Sequence, residues 1–361
     1  MLAATPREDC PGASRKTPLI RMRGLSCGVL CAGLGAPGAA PAADPAVEAF
    51  YKTRPLELYV GTIPGGGYDL YARVVARFLG KHVPGNPNVV VRNMPGAGQL
   101  AMSNWLYRAA PRDGTVIAMA PQALAIEQAL LSPGILYDAA KFSFVGRVAP
   151  VVEITWTWGT SPTKTLDDAR RRETVMGASG PTSPTFYYLK ALNELAGAKF
   201  KIVNGYPGGG ETNLAVQRGE VEGNTTSWAS MKVDNADWLR EKKVNLLVQY
   251  ALERAPDMPG VPLMMELGRG EADRTALKVF AMGNAMGRSI LAAPGAPPER
   301  LAALRDAFDA TMRDPELIDF TREKNIDIGP PLGGVELDRL VAETLAFPQA
   351  VLDKVKRAKG D

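Results

Sequence analysis

A strand, a glycine-bearing turn and a helix follow one another repeatedly from Leu56 onward, and this succession leaves the chain few possible folds. Each predicted strand alternates or is uniformly apolar, and each predicted helix has apolar residues at a spacing of three and four. The predicted elements of the first series are strands at 56–62, 88–92 and 115–120 and helices at 68–81 and 100–110. Units of this length predict an α/β fold with parallel strands and right-handed crossovers.

A second series of the same kind begins after residue 159, where a linker-like Gly-Thr-Ser-Pro segment ends a long extended stretch over 144–157. The predicted elements are strands at 174–177, 199–203 and 244–250, helices at 185–196, 211–217, 298–312 and 337–356, and an extended return stretch at 279–292. Two series with two connecting stretches predict two lobes, each a mostly parallel sheet flanked by helices, with a ligand cleft between them. The predicted domains are lobe 1 over 44–148, lobe 2 over 149–278, and a return to lobe 1 with C-terminal helices over 279–361.

Residues 1–43 are typical of an export signal. Arg21 and Arg23 precede a short apolar run over 24–35, and small residues follow at 40–43. The run is shorter than the roughly 20 apolar residues that cross a bilayer. We therefore expect a cleaved leader and a periplasmic protein, with Met22 as an alternative start of the chain.

The cysteines lie inside this leader, at Cys10, Cys27 and Cys31. The mature chain is therefore expected to hold no disulfide and no cysteine metal site. Lipid attachment at Cys27 is the alternative, although little apolar sequence precedes it. The leader carries five basic and two acidic residues, so the formal charge falls from +4 to +1 on its removal, which speaks against a nucleic-acid partner.

Three glycine-rich turns, at 62–69, 93–98 and 177–183, follow predicted strands. The carboxyl ends of parallel strands carry the ligand site in open α/β sheets. Glycine lets the main chain approach a ligand, and the free N–H groups of a helix's first turn suit an anion. The turns therefore predict a site for a carboxylate, formed by Pro64, Gly65, Gly66, Gly67, Tyr68, Asp69, Asn93, Gly96, Ala97, Gly98, Ser179, Gly180, Thr182 and Ser183.

Simpler interpretations stand beside this one. Each turn alone is compatible with plain chain reversal, and Asp69 is also a candidate cap for its own helix. Tyr206 opens a Pro-Gly-Gly-Gly segment that is either a fourth pocket loop or a helix-entry turn. Arg147 and Arg288 lie on the two connecting stretches, where a guanidinium could pair with a second carboxylate. Placement on the solvated surface is the simpler interpretation of both arginines.

Enzymatic motifs are incomplete. The first glycine turn lacks the Lys-Ser/Thr of a phosphate-binding loop, and Leu70 replaces the last glycine of a dinucleotide fingerprint. Pro181 stands where a serine elbow needs glycine, and Ser161 with Lys164 matches Ser-x-x-Lys inside a linker. His82, the single histidine, is expected to be structural. We therefore predict a binding protein without catalytic residues, metal or cofactor.

The chain resembles the periplasmic solute receptors of tripartite tricarboxylate transporters. The resemblance is carried by residues 60–73 (VGTIPGGGYDLYAR), 89–98 (VVVRNMPGAG) and 110–115 (APRDGT), in that order, and continues weakly over 206–222 and from 292 to the C-terminus. It implies a type II periplasmic binding-protein fold that closes on a carboxylate ligand like a Venus flytrap. A membrane permease is the implied partner, and the receptor is expected to be a monomer.

The resemblance also implies that loops 64–69 and 179–183 face each other and hold the carboxylate through main-chain groups and waters, with 93–98 nearby. In the family an acidic residue near the end of the strand after Gly219 meets an amino group. Here that segment, 224–227, is neutral, which speaks against an amino-acid ligand. Thr226 is the candidate ligand contact on it.

Two other functions remain open at this point. A ligand sensor for a signalling system would have the same fold, and the genes beside it would distinguish it from a transport receptor. A secreted hydrolase or lyase that uses carboxylates is the second alternative, and turnover assays would reveal it. The ligand itself cannot be read from the sequence.

Overall fold

The computed structural model describes residues 44–65, 67–180 and 183–360. The predicted leader with its three cysteines and Met22 lies outside these ranges, as do Gly66 and Thr182 of the candidate site. Within the described residues, no helix is both long and apolar enough to pass through a lipid bilayer.

The described residues form eleven strands and fourteen α-helices. The strands are β1 (Leu56–Val60), β2 (Val89–Asn93), β3 (Val116–Met119), β4 (Ser143–Arg147), β5 (Glu153–Trp158), β6 (Thr174–Ala178), β7 (Phe200–Asn204), β8 (Gly223–Ser227), β9 (Val244–Tyr250), β10 (Ser289–Ala292) and β11 (Leu332–Gly333). The helices are α1 (Pro45–Lys52), α2 (Gly67–Leu79), α3 (Leu100–Arg108), α4 (Leu124–Ala129), α5 (Leu166–Arg171), α6 (Pro184–Ala196), α7 (Gly209–Gln217), α8 (Trp228–Asp234), α9 (Ala236–Arg240), α10 (Glu271–Met286), α11 (Pro298–Met312), α12 (Pro315–Glu323), α13 (Gly334–Leu345) and α14 (Gln349–Lys359).

The strands build two separate mixed sheets, one in each lobe. The first has the order β11-β4-β10-β3-β1-β2, with β1 parallel to β2 and β3, and with β10 antiparallel to β3 and β4. The second has the order β7-β6-β8-β5-β9, with β5 antiparallel to β8 and β9. Four of six strands and four of five strands therefore run in one direction. The α/β fold with two lobes is confirmed.

Helices cover both faces of each sheet, because the central strands carry apolar side chains on both faces. In β3, Ile117 and Met119 pack with α2 and α11, while Val116 and Ala118 pack with α3, α4 and α13 on the opposite face. In the second sheet, Tyr250 lies under α6, α10 and α14, and the opposite face packs against α7, α8 and α9. The helices cover the faces of each sheet and leave open the edge at which the parallel strands end.

The prediction of an extended return stretch over 279–292 is wrong for its first part. Residues 279–286 belong to α10, and only the following β10 is extended. From residue 279 on the helix is buried on every side, so this part of the sequence shows no polar face from which its period could be read. Its first half packs in the second lobe around Phe280, and its end packs in the first lobe around Met286. The return connection is therefore a buried helix that spans both lobes.

Two other predicted elements are each divided by a proline. The stretch over 144–157 is two strands, β4 in the first sheet and β5 in the second, separated around Pro150. The helix predicted over 337–356 is α13 and α14, separated around Pro348. Proline has no N–H and disfavours helix in the residue before it, so both breaks are readable from the sequence.

Candidate functional site

The first glycine turn is held in shape by Asp69, which lies in the first turn of α2 and is 3% exposed. Its carboxylate accepts hydrogen bonds from the Gly65 N–H at 2.9 Å, from Arg73 Nε at 2.8 Å and from Asn93 Nδ2 at 2.9 Å. The Arg73 hydrogen bond is the main reason that the pKa of Asp69 falls to about 2. Asp69 therefore fixes the turn, as the capping interpretation of the sequence anticipated.

Asn93 joins the first turn to the second. Its Nδ2 group also donates to the Thr62 carbonyl at 3.0 Å, so the ends of β1 and β2 are tied together. Behind Asn93 the main chain adopts positive φ at Gly96, Ala97 and Gly98. Positive φ is strained for Ala97, and such strain concentrates at functional loops. The structure thus brings the first two predicted loops together at one edge of the first sheet.

The third turn closes on itself. Ser179 N–H donates to Thr185 Oγ1 at 3.0 Å, and Gly180 N–H donates to Ser183 Oγ at 3.3 Å. Ser183 Oγ in turn donates to the Gly180 carbonyl at 2.7 Å. These two amides are therefore already bonded inside the turn, and Ser183 orders the entry to α6.

The remaining two candidate residues, Tyr206 and Thr226, also lie in the second lobe, outside the third turn itself. The Tyr206 ring packs behind β6 with the α7–α9 core, and its main-chain N–H donates to the Ala178 carbonyl at 3.4 Å. The following glycines lead directly into α7 at Gly209. Thr226 pairs with Ile154 of β5 and is partly buried.

Arg288 lies at the junction of the two lobes, between α10 and β10. Its guanidinium carbon is 4.0 Å from the centroid of the Tyr68 ring and 5.9 Å from that of Tyr71. Among the described residues, its side chain donates one hydrogen bond, from Nη1 to Gln122 Oε1, and this bond is long at 3.5 Å. Its Nε is buried and has no partner among the described residues. Arg288 therefore has unused donors, and the interpretation as a solvated surface residue is wrong.

Arg147 differs from Arg288, although both lie at lobe connections. Arg147 is 9% exposed, and it donates to the carbonyls of Ala285 at 2.6 Å and Pro330 at 3.1 Å. It is therefore a structural tie between β4, α10 and the segment before β11. The surface interpretation is wrong for Arg147 too, since its guanidinium is buried and donates to main-chain carbonyls instead of to water.

A cavity of about 510 Å³ opens beside Arg288. Its wall includes Gly67 and Tyr71 from the first lobe and Trp228 from the second. The described residues that line it are Gly67, Leu70, Tyr71, 150–152, 227–230, Val233, Asp234, Arg288, 324–327 and Gly329. The cavity therefore lies between the lobes, next to the start of α2.

Glu153 is the first residue of β5, and its carboxyl has a strongly shifted pKa. Burial raises the pKa of its carboxyl to about 7, and the charge of Arg288 opposes this rise. Burial also raises the pKa of Tyr187, with the Glu153 carboxylate as the next cause and Tyr68 as a smaller one.

The enzyme-like residues have structural partners. Ser161 Oγ donates to Glu222 at 2.7 Å, in a network where Arg172 also binds Glu222. His82 Nε2 lies 2.9 Å from Asp314, the cap of α12. Within the described residues no group of histidine, cysteine and carboxylate side chains has the arrangement of a metal site.

Sequence reasoning missed Glu153 and Gln122 and undervalued Arg288. Glu153 is the single carboxylate inside the apolar stretch predicted over 144–157, and this is the one signal that pointed to it. Nothing in the sequence relates it to Arg288, because the two residues are far apart in the chain and the electrostatic effect of Arg288 on Glu153 depends on the packing of both lobes.

Comparison with known proteins agrees with this architecture. The profile of the TctC family, described as the tripartite tricarboxylate transporter family receptor, matches residues 71–356. The chain is 26% identical over 360 residues to a Cupriavidus necator protein named "UPF0065 protein in gbd 5'region", covering 94% of this chain and 98% of that one.

Two solved structures are similar in fold. A TctC solute binding protein from Polaromonas, without ligand, superposes with a TM-score of 0.65 at 22% identity, covering 84% of this chain and 99% of that chain. MatC from Rhodopseudomonas palustris, with bound malate, gives a TM-score of 0.57 at 22% identity, covering 84% of this chain and 99% of that chain. The chain belongs to the tripartite tricarboxylate transporter receptor family.

Proposed function

We propose that this protein is a periplasmic receptor that binds a small carboxylate between its lobes and delivers it to a tripartite tricarboxylate-type permease. It acts by binding and closure, without catalysis. The observation that carries the proposal is Arg288, a cation at the lobe junction whose Nε is buried without a partner. A guanidinium with free donors matches a planar carboxylate.

The start of α2 supplies a second attraction for an anion. Gly67 is the first residue of α2 and lines the same cavity as Arg288. The first N–H groups of an α-helix have no intrahelical acceptor, and the helix dipole adds partial positive charge there. A Cβ atom at position 67 would lie 3.6 Å from Arg288 Nη2, so the start of α2 and this guanidinium are close neighbours.

The malate held by the MatC neighbour supports a carboxylate as the class of ligand. The cavity of about 510 Å³ lies within the usual range for small-molecule sites. In this interpretation, Tyr68 and Tyr71 hold the Arg288 side chain in position by cation–π contact.

Closure would use contacts between the lobes. Lys232 of α8, in the second lobe, lies 3.0 Å from Asp327, in the segment that leads to β11 of the first. Within the first lobe, Tyr71 of α2 donates to the main-chain carbonyl of Asp327 at 2.6 Å and so helps to hold the Asp327 segment in place. A ligand that contacts both lobes shifts the equilibrium toward the closed form by its differential affinity.

The test is calorimetric titration of the mature protein with citrate, malate, adipate and aromatic acids. We expect at least one acid to bind, and we expect Arg288→Met to weaken that binding by about 2–3 kcal/mol, because it removes a charged hydrogen-bond donor. Arg322→Met is the control, since Arg322 is 73% exposed on α12 and pairs only within its own helix.

Binding of non-acidic compounds alone would overturn the carboxylate assignment. Equal affinities of the Arg288 variant and the wild type for an acid would remove Arg288 from the site. Unfolding curves of both variants separate a loss of binding from a loss of fold.

A further inference from the structure

Gln122 lies between β3 and α4, and the pairing of strands in the first sheet brings it to Arg288. β3 and β10 are antiparallel neighbours, so the carboxyl end of β3 lies beside the start of β10. Ala120, just after β3, donates its N–H to the carbonyl of Ser289 at 2.7 Å. Gln122 follows Ala120 closely in the chain, and Arg288 directly precedes Ser289. Strand pairing therefore makes Gln122 and Arg288 neighbours, although they are 166 positions apart in the sequence.

Gln122 contacts both Arg288 and the aromatic ring on which Arg288 rests. Its main-chain N–H donates to the hydroxyl of Tyr68 at 3.1 Å, and its side-chain Oε1 accepts from Arg288 Nη1 at 3.5 Å. The guanidinium lies over the ring of that same Tyr68, 4.0 Å from its centroid. A cation over a ring face is attracted to it but can still rotate there. The amide acceptor of Gln122 gives the guanidinium a preferred direction.

The side chain of Gln122 is itself held by the end of α10. Its Nε2 lies 3.5 Å from Oδ1 of Asn284, which is 1% exposed. Asn284 is fixed in turn, since Tyr188 donates to its Oδ1 at 2.8 Å and its Nδ2 donates to the Tyr250 carbonyl at 2.9 Å. Because Asn284 offers an acceptor to Gln122, the amide turns its nitrogen toward Asn284 and its oxygen toward Arg288.

The charge of this acceptor matters as much as its position. An amide oxygen is neutral, so it orients a guanidinium and leaves the positive charge uncompensated. A carboxylate in the same place would form a charge-assisted pair and would compete with a ligand carboxylate for the same donors. The contact with Gln122 is also long and uses Nη1, while the buried Nε keeps its donor. Gln122 therefore directs Arg288 without consuming it.

We propose that Gln122 is a positioning residue for the ligand site: it holds Arg288 and Tyr68 in the arrangement that receives a carboxylate and keeps the arginine charge available. This role rests on the proposed function. Gln122 is not among the described residues that line the cavity, so it acts on affinity through Arg288 and Tyr68.

The test is calorimetric titration of Gln122→Met and Gln122→Glu with citrate, malate and adipate. Gln122→Met keeps the main-chain hydrogen bond to Tyr68 and removes the acceptor, and we expect about fivefold weaker binding, the effect of one hydrogen bond. Gln122→Glu keeps the shape and the acceptor but compensates the charge of Arg288, and we expect binding to weaken by about tenfold or more. A purely structural role predicts the opposite order, since glutamate is the closer match in shape.

Gln349→Met and Gln349→Glu are the matched controls. Gln349 is exposed on α14 and donates to Asp353 of the same helix. Both controls should bind the acids as the wild type does. Thermal unfolding curves of every variant show whether a loss of binding is a loss of fold.

A double-mutant cycle shows whether the effect of Gln122 passes through Arg288. In the Arg288→Met background, Gln122→Met should change the affinity by less than about twofold, because the group that it positions is gone. An undiminished fivefold loss in that background would overturn the positioning role.

The ligand-free protein gives a readout of position alone. In proton–nitrogen NMR spectra, the Nε–H resonance of Arg288 is identified by its loss in Arg288→Met. We expect this resonance to shift in Gln122→Met and Gln122→Glu and to stay in place in Gln349→Met. An unmoved resonance in both Gln122 variants would show that Gln122 does not hold the guanidinium.

Failure of this role and failure of the receptor function give different results. If an acid binds and Gln122→Glu binds it as tightly as the wild type, the positioning role is wrong while the receptor function stands. If none of the acids binds to the wild type, the carboxylate receptor proposal fails, and the role of Gln122 in ligand binding fails with it.

Discussion

At the scale of single residues, Asp69 decides the shape of the first glycine turn. It binds a main-chain N–H, a guanidinium and an amide, each from a different part of the chain. The glycines supply the freedom to bend, but this carboxylate selects one bend. A buried side chain thus determines where the main-chain amides of this turn point.

We predict that Asp69→Asn weakens carboxylate binding by about tenfold and lowers the free energy of unfolding by about 1–3 kcal/mol, because an amide cannot accept all three hydrogen bonds. The pKa of Asp69 is depressed to about 2, so its contribution is present above pH 4 and is lost as the pH falls toward 2. Urea unfolding at several pH values and calorimetry are the measurements.

Asp319→Asn is the matched control, because Asp319 is 72% exposed and pairs with Arg322 at the surface. It should change neither stability nor affinity measurably. An Asp69 variant with wild-type affinity would show that the turn keeps its shape without this carboxylate.

At the scale of elements, the position of Arg288 depends on the turn between α10 and β10. Gly287 has a φ of 51°, and a Cβ atom there would lie 2.2 Å from the Ala149 carbonyl oxygen. The next residue, Arg288, donates its N–H to that same carbonyl at 2.8 Å. The two connections between the lobes are therefore in direct contact, and glycine makes this approach possible.

We predict that Gly287→Ala lowers the free energy of unfolding by more than the roughly 1–2 kcal/mol of left-handed strain alone, and that it weakens ligand binding. The added methyl group must push the two connections apart and move Arg288. Thermal unfolding and calorimetric titration are the measurements.

Gly295→Ala is the control, since Gly295 has a φ of 78° but has open space around it. It should show the strain alone, with unchanged affinity. Equal effects of the two substitutions would mean that the contact with Ala149 is unimportant.

At the scale of the whole molecule, two sheets are joined by strands, by α10 and by a few polar contacts. Lys232 bridges Asp327 of the first lobe and Asp257 of the second, at 3.0 and 3.2 Å. These charges are partly exposed, so the bridge is weak. A weak bridge beside the cavity is suited to an equilibrium between open and closed forms.

We predict that Lys232→Met shifts the ligand-free protein toward the open form and weakens ligand binding by about two- to fivefold, because fewer molecules are closed before binding. Small-angle scattering without and with ligand should show a larger radius of gyration for the free variant only. Lys201→Met, at a surface pair with Glu173 in the second lobe, is the control. Identical scattering of the variant and the wild type would remove this bridge from the closure step.

The sequence alone determined the local order of this protein. Hydrophobic period and glycine placement predicted most strands and helices, and the loops at 64–69 and 93–98 were recognised before any contact was known, since turn chemistry is local. Tertiary structure alone decided the antiparallel strands, the buried helix α10 and the burial of Arg288 Nε at the junction of the lobes. The physical reason is that burial on all sides erases the periodic signal, and that the burial of a side chain between two lobes depends on packing between residues distant in the chain.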